Sequence, residues 1–229
     1  MRGNALDSLS LFLFHDRRDA GEVLARDLAS FAQDDAVVIG LARGGVVVAA
    51  AVARALGLPL DAVAVRKVRH PAQPEYALGA VAPGGVAAIC ASDGLTEEQL
   101  FAAVARARAE AEALDLQLHR ARPAASLAGR AVLLVDDGLA TGATMRAAAR
   151  WAESRGARRV VAAAPVGARD TVSRLADEVD AVVCPNPVDD LVAVGLWYED
   201  FGQVDDDTVV ALLASSSAAG SRLLERSPS

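Results

Sequence analysis

The sequence predicts an α/β domain whose twisted, parallel β-sheet is flanked by helices. Two apolar runs at 36–41 and 60–65 enclose a Gly-rich turn and a helical segment at 46–56. Strand, turn, helix and strand in this order form a βαβ unit, which joins two parallel strands. A third apolar run at 131–135 ends in two carboxylates and a loop of small residues, as expected at the ligand-binding edge of an open α/β sheet.

The composition is typical of one folded domain and disfavours nucleic acid and membrane as partners. Of the 229 residues, 53% are hydrophobic and 23% are charged, which is typical of globular chains. The formal net charge of −7 argues against a nucleic-acid surface, which needs clustered positive charge. No run reaches the roughly 20 apolar residues of a membrane span. The apolar run at 9–14 is too short for a signal peptide. We therefore expect a cytoplasmic protein that binds neither nucleic acid nor membrane.

The cysteine content indicates no disulfide framework. Cys90 and Cys184 are the only two cysteines, and each adjoins an apolar run. We expect both to be buried, reduced thiols rather than members of a disulfide or a zinc site.

The other elements follow, in chain order, from apolar spacing and turn residues. Helical spacing predicts a first helix at 19–31, and two runs around Pro-Gly-Gly predict a hairpin of 76–82 and 86–90. A helix at 96–122 begins with a capping box and carries an apolar stripe. That stripe would pack on the core or on a partner chain, which makes a homodimer plausible. Further helices are predicted at 141–156, 170–177 and 207–213, and further strands at 159–164 and 181–184.

The strongest functional signal is the segment VLLVDDGLATGAT at 132–144. A buried strand ends there in Asp136 and Asp137, at the sheet edge where ligands bind. The loop of small residues lets backbone N–H groups close around an anion at a helix N-terminus, and Thr141 and Thr144 add hydroxyl donors. An anion site beside two acceptors for hydroxyl groups suits a 5-phosphorylated ribose. The spacings GxxxxGK[ST] and GxGxxG are absent, which disfavours nucleoside triphosphate hydrolysis and dinucleotide binding.

This segment resembles the motif of type I phosphoribosyltransferases that binds 5-phosphoribosyl 1-diphosphate (PRPP). The family pattern is four apolar residues, two acids and a small loop with Thr-Gly. The resemblance implies that Asp136 and Asp137 hold the ribose hydroxyls and help to organise Mg²⁺ as cofactor. It also implies a binding loop for the 5′-phosphate, which comprises Gly138, Ala140, Thr141, Gly142, Ala143 and Thr144.

Two further segments match the diphosphate side of the same family. The turn Arg43-Gly44-Gly45 follows the first core strand, where family members contact the diphosphate. Arg66 and Lys67 lie at the expected end of the strand at 60–65, as a similar Val-Arg-Lys does in adenine phosphoribosyltransferases. Lys67 is the only lysine among 23 basic residues, and an ammonium group is a compact charge suited to phosphate oxygens.

A late aromatic segment resembles the hood that holds the base in purine-type members. Trp197 and Tyr198 are the predicted acceptor-binding residues, since aromatic faces stack on flat heterocycles. One position departs from the family pattern: enzymes that act on 6-oxopurines have an acid where this chain has Ala140. This disfavours a 6-oxopurine acceptor, although adenine-type members also have alanine there. The sequence does not name the acceptor.

These signals predict one domain over residues 1–214, with a core at about 16–184, a hood at about 185–204 and a disordered tail at 215–229. The expected reaction transfers the 5-phosphoribosyl group from PRPP to a small nitrogenous base and releases diphosphate. The predicted catalytic residues are Arg66, Lys67, Asp136 and Asp137.

Two alternatives remain open on the sequence alone. The first is a regulatory protein that binds PRPP or a nucleotide without turnover, because the PRPP motif fits both roles. The second is an enzyme that hydrolyses or moves a phosphate on a sugar phosphate, which would use Mg²⁺ and the acidic pair but no aromatic hood.

Overall fold

The computed structural model describes residues 13–120 and 122–224, with side chains described as far as residue 216. The helices are α1 (Arg17–Asp27), α2 (Gly44–Leu56), α3 (Glu97–Leu118), α4 (Ala143–Ser154), α5 (Arg169–Leu175) and α6 (Asp206–Leu224). The strands are β1 (Ala36–Leu41), β2 (Leu60–Val63), β3 (Arg66–His70), β4 (Gln73–Ala82), β5 (Val86–Ile89), β6 (Ala131–Val135), β7 (Arg159–Ala163), β8 (Val166–Ala168), β9 (Ala181–Val183) and β10 (Asn186–Val188). Within the described ranges, short 3₁₀ helices cover Ala29–Gln33, Pro83–Gly85 and Val194–Trp197.

The central sheet has five parallel strands in the order β2-β1-β6-β7-β9. This confirms the predicted fold class. From β1 the chain first builds β2 on one side, and β6 later joins on the other. The strand order therefore reverses between β1 and β6, which is where open α/β sheets bind ligands. Gly40 pairs with Val135 at the carboxyl ends of these two strands, so the segments that follow β1 and β6 start side by side.

Alternate residues of the central strands supply two cores, one on each face of the sheet. Val37 and Ile39 of β1 belong to the core that includes Met145 of α4, whereas Val38 belongs to the core that includes Val46 of α2. Every residue of β1 and β6 is buried, because helices cover both faces. Continuous apolar runs are the sequence signature of such strands.

A second, antiparallel sheet has the order β3-β4-β5. It contains the predicted hairpin and packs against α3, with Val68, Leu78 and Ala107 in one cluster. One prediction is corrected here: Arg66 and Lys67 do not end a parallel strand. The parallel strand β2 ends at Val63, and both cations begin β3 of the antiparallel sheet. The residue Val68 alone is buried in β3, so its pattern gave no strand signal.

The ends of several elements also differ from the predictions. Helix α3 has the predicted capping box and buries its apolar stripe on the core, but it ends at Leu118 rather than near 122. Helix α4 begins at Ala143, which leaves Thr141 in the preceding loop. Helix α6 continues to Leu224, so residues 215–224 are helical where a disordered tail was expected. The remaining tail residues, 225–229, lie outside the described residues.

Neither cysteine is fully buried, contrary to the prediction. Cys90 is exposed and Cys184 is half-buried, and both are free thiols. Burial raises the pKa of the Cys184 thiol to about 11. None of the helices within the described ranges has an apolar stretch long enough to cross a bilayer.

A buried ion-pair network joins β2 to the end of α3. Asp61 is 2% exposed and accepts hydrogen bonds from the Ala125 amide at 2.6 Å, from His119 Nε2 at 3.1 Å and from Arg122. Burial alone would raise the pKa of Asp61, but these hydrogen bonds and charges outweigh it and lower the pKa. Hydrogen bonds to Asp115 and Asp61 raise the pKa of His119 to about 10. His119 is therefore a cation at neutral pH.

We expect this network to make stability depend on pH. The folded-state pKa of His119 lies above its ordinary value of 6.5, so its contribution is complete below pH 6.5 and is lost as pH rises towards 10. Between pH 6 and pH 10 the wild type should lose about 1–2 kcal/mol more unfolding free energy than His119→Gln, after allowance for solvent screening. Urea unfolding at several pH values measures this difference. His70→Gln, on the β3–β4 hairpin, is the control and should follow the wild type; parallel curves for wild type and His119→Gln would contradict the assignment.

Candidate functional site

A cleft of about 700 Å³ opens at the carboxyl edge of the central sheet, between the ends of β1 and β6. Three segments that are distant in sequence meet there: the turn after β1, the start of β3 and the loop after β6. Most of the sequence-predicted site residues line this cleft. They are Arg43, Gly44, Arg66, Lys67, Asp136, Asp137, Gly138, Ala140, Thr141, Gly142 and Thr144.

Two predicted residues lie behind the cleft rather than on its wall. Ala143 is buried at the start of α4, with 5% of its surface exposed. Gly45 is buried against β6, where an added Cβ would lie 2.6 Å from the Val135 carbonyl oxygen. The second glycine of the turn therefore allows α2 to begin close against β6. The peptide bond between Ala42 and Arg43 is cis.

The acidic pair combines one buried carboxyl with one paired carboxylate. Asp136 Oδ1 accepts a hydrogen bond from the Asp137 amide at 2.9 Å. Burial, and then the charge of Asp137, raise the pKa of Asp136 well above 3.8, although the Asp137 amide, Lys67 and Arg17 oppose the shift. Asp137 Oδ2 accepts from Arg17 Nε at 2.8 Å. The pair thus combines a carboxyl whose charged form is disfavoured by burial with a carboxylate that is paired with an arginine.

The loop from Gly138 to Gly142 is held from behind by the elements that follow β7. Leu139 donates its amide to Val166, and Thr171 Oγ1 donates to the Ala140 carbonyl at 2.7 Å. Gly142 is the residue before α4 and has φ = 75°, a conformation that side chains disfavour. The loop therefore enters α4 in a fixed conformation, with the positive end of the helix dipole directed at the cleft.

The opposite wall of the cleft is basic. Arg43 donates to Asp206 of α6 at 2.6 Å, a partner that the sequence did not reveal. Burial, followed by the charge of Arg43, lowers the pKa of Arg66. Arginine nevertheless stays protonated in proteins, so the desolvated guanidinium of Arg66 is a strong donor to an anion.

The predicted acceptor residues Trp197 and Tyr198 do not line the cleft. Tyr198 is 1% exposed, packs between Phe14 and Phe201, and donates its hydroxyl to the Asp137 carbonyl at 2.6 Å. Trp197 packs with the same aromatic cluster. A buried tyrosine needs a partner for its hydroxyl, and here the partner is the backbone of the acidic pair. The aromatic run predicted a hood but not which of its faces would point into the cleft.

Val194 and Phe201 form the hood wall of the cleft in place of Trp197 and Tyr198. An added Cβ at Gly138 would lie 2.5 Å from a Val194 methyl group, so the glycine lets the hood close over the loop. Sequence reasoning also missed Arg17, Arg69 and Glu110 as lining residues.

Among the described residues, no group of three or more His, Cys, Asp or Glu side chains could hold a metal ion. Mg²⁺ is often held by one or two carboxylates together with the phosphates of a substrate. Asp136 and Asp137 could supply the carboxylates of such a site. The cleft therefore suits a Mg²⁺ that is shared with a phosphorylated ligand.

Comparisons with known proteins agree on one family. Residues 17–200 match the family model described as the phosphoribosyl transferase domain. Proteins from Mycobacterium tuberculosis strains CDC 1551 and H37Rv, both named provisionally as phosphoribosyl transferases, are each 44% identical to this chain over 206 residues. The alignment covers 88% of this chain and 46% of each relative, so the chain spans about half the length of these relatives.

A solved structure matches most of the chain. TT1426 from Thermus thermophilus is 46% identical and superposes with a TM-score of 0.75, over 88% of this chain and 98% of that chain.

Asp136 should reduce the stability of the folded protein at neutral pH. A carboxyl whose pKa is raised by folding makes the folded state less stable as pH rises from 3.8 through the raised pKa. Asp136→Asn removes this cost, so its unfolding free energy at pH 7.5 should exceed that of the wild type by about 1 kcal/mol, or about 2–4 °C in Tm. The gain should vanish near pH 4. Thermal unfolding at both pH values measures it.

Asp177→Asn, an exposed carboxylate outside the cleft, is the matched control and should unfold like the wild type. An Asp136→Asn protein that is less stable than the wild type at pH 7.5 would show that the carboxyl is not destabilising there.

Proposed function

This chain belongs to the phosphoribosyl transferase family, and from that premise we propose that it transfers the 5-phosphoribosyl group of PRPP to a small nitrogenous base with release of diphosphate. The observation that carries the proposal is the meeting of three kinds of group in one cleft. A loop at a helix N-terminus, a pair of carboxyls and a basic wall lie around about 700 Å³ of space. PRPP has a 5′-phosphate, two ribose hydroxyls and a diphosphate. The loop, the carboxyls and the basic wall are chemically suited to these three parts, in that order.

The binding mode follows from these matches. The 5′-phosphate would lie in the loop at 138–144, where backbone amides and the Thr141 and Thr144 hydroxyls can donate. The ribose hydroxyls would donate to Asp136 and Asp137. The diphosphate would lie against the Arg43-Gly44 turn and the two cations at the start of β3, Arg66 and Lys67. This arrangement supports a donor site for PRPP rather than for a nucleoside triphosphate.

In the proposed reaction the bond between ribose C1 and the diphosphate oxygen breaks, and its electron pair leaves with diphosphate. A lone pair of the acceptor nitrogen forms the new C1–N bond, and the nitrogen loses its proton. Arg66 and Lys67 would stabilise the charge that develops on diphosphate, because they are already positioned before the reaction. Asp137 would orient the ribose and favour the positive charge that develops on its ring. Mg²⁺, held by the acidic pair and substrate oxygens, would add further neutralisation of the leaving group.

The acceptor is proposed only by class. Ala140 cannot take a proton from the base, so the proton of the acceptor nitrogen would pass to solvent or to diphosphate. Val194 and Phe201 provide an apolar wall beside the loop, which suits a flat heterocycle. The cytoplasmic location and the homodimer stay predictions.

Calorimetric titration with PRPP, with and without Mg²⁺, tests the donor site. We expect saturable binding that needs Mg²⁺, followed by acceptor-dependent release of diphosphate when nucleobases are screened. Binding without diphosphate release for any base would favour a regulatory PRPP-binding protein. Phosphate release without any acceptor would favour sugar-phosphate chemistry, and no binding at millimolar PRPP would contradict the proposal.

Asp137 should be needed for this binding. Asp137→Asn removes the charge that faces the ribose hydroxyls, so affinity for Mg·PRPP or turnover should fall at least about tenfold, equivalent to roughly 1.4 kcal/mol. Titration of the variant measures the loss, and Asp177→Asn should bind like the wild type. Unchanged affinity and turnover in Asp137→Asn would remove the acidic pair from the site.

A further inference from the structure

Arg17, the first residue of α1, joins the acidic pair to the hood. Its Nε donates to Asp137 Oδ2 at 2.8 Å, and its NH1 donates to the Gly202 carbonyl at 2.8 Å. Its guanidinium carbon lies 3.7 Å from the centre of the Phe201 ring. Its side chain is 11% exposed. These three contacts use the planar face and two edges of the guanidinium, which a lysine could not reproduce.

The contact lies inside the ligand cleft rather than on the outer surface. Arg17 and Asp137 both line the cleft. Gly44 of the turn after β1 lies directly against both side chains. An added Cβ at Gly44 would lie 2.9 Å from Arg17 Nε and would overlap Asp137 Oδ2. The first glycine of the turn therefore makes room for this ion pair. An ordinary surface ion pair would not need such a fit.

Asp137 is linked to the hood by two contacts, one through Arg17 and one directly from Tyr198. Arg17 fixes its carboxylate and also contacts the hood at Gly202 and Phe201. Tyr198 fixes the carbonyl of the same residue. The position of the hood and the orientation of the Asp137 carboxylate are thus coupled through one arginine.

We propose that Arg17 is a positioning residue that orients the Asp137 carboxylate towards the ribose hydroxyls and couples occupation of the cleft to the position of the hood. This inference rests on the proposed function, because it assumes that Asp137 receives the ribose. One of the two carboxylate oxygens is occupied by Arg17, which leaves Oδ1 in a fixed direction for a hydroxyl donor. Arg17 itself touches neither the phosphate loop nor the basic wall in any described hydrogen bond.

The test compares Arg17→Gln and Arg17→Lys with Arg18→Gln, using Mg·PRPP titrations at pH 7.5. Arg18 is the next residue of the same helix, is 66% exposed and pairs only with Glu22 among its described ion pairs. We expect Arg17→Gln to bind at least about tenfold more weakly, and Arg17→Lys to recover only part of the affinity because it cannot make all three contacts of the guanidinium. Arg18→Gln should bind like the wild type.

Hydrogen exchange of the free protein provides a second readout that needs no ligand. The amides at 194–202 should exchange faster in Arg17→Gln than in the wild type or Arg18→Gln. Wild-type affinity in Arg17→Gln, or a lower Tm as its only change, would overturn the inference. If the wild type itself fails to bind PRPP, the proposed function falls and this role falls with it; weak binding by the Arg17 variants alone leaves the proposed function intact.

Discussion

The site depends on the parallel pairing of β1 with β6. This pair lies where the strand order reverses, so no crossover helix fills the space above the two carboxyl ends. Gly40 opposite Val135 sets the register. A slip of one residue would turn Val37 and Val38 to the wrong faces and would move the acidic pair away from the Arg43-Gly44 turn. Such a slip is unfavourable because helices cover both faces of the sheet. The packing that fixes the register therefore also fixes the geometry of the cleft.

The cleft concentrates charge that the rest of the fold must balance. Two adjacent carboxyls lie at the end of a buried strand, and burial makes ionisation of Asp136 unfavourable. Arg17 and Lys67 offset part of this cost from two different elements. On the basic side, Arg43 is balanced by Asp206 of α6. These partners come from the N-terminal helix, the antiparallel sheet and the last helix, so the periphery of the domain is tied to the central site.

Local patterns predicted the centre of the fold well and its periphery poorly. The runs that became β1 and β6 are apolar throughout, and the residues predicted to bind the 5′-phosphate are contiguous in sequence at 138–144. Arg17 could not be found in this way, because it meets Asp137 across 120 positions of sequence and no local pattern marks it. Tyr198 was recognised as part of a hood, but its orientation is set by packing against Phe14 and by the Asp137 carbonyl. Strand β3 was missed because Val68 is its one buried residue.

The most direct test of the proposed donor site is a crystal structure of the protein with PRPP and Mg²⁺. We expect the 5′-phosphate within the loop at 138–144, the ribose hydroxyls within hydrogen-bond distance of Asp136 and Asp137, and the diphosphate against Arg43, Arg66 and Lys67. A ligand bound elsewhere, or a ribose whose hydroxyls contact neither carboxyl, would contradict it.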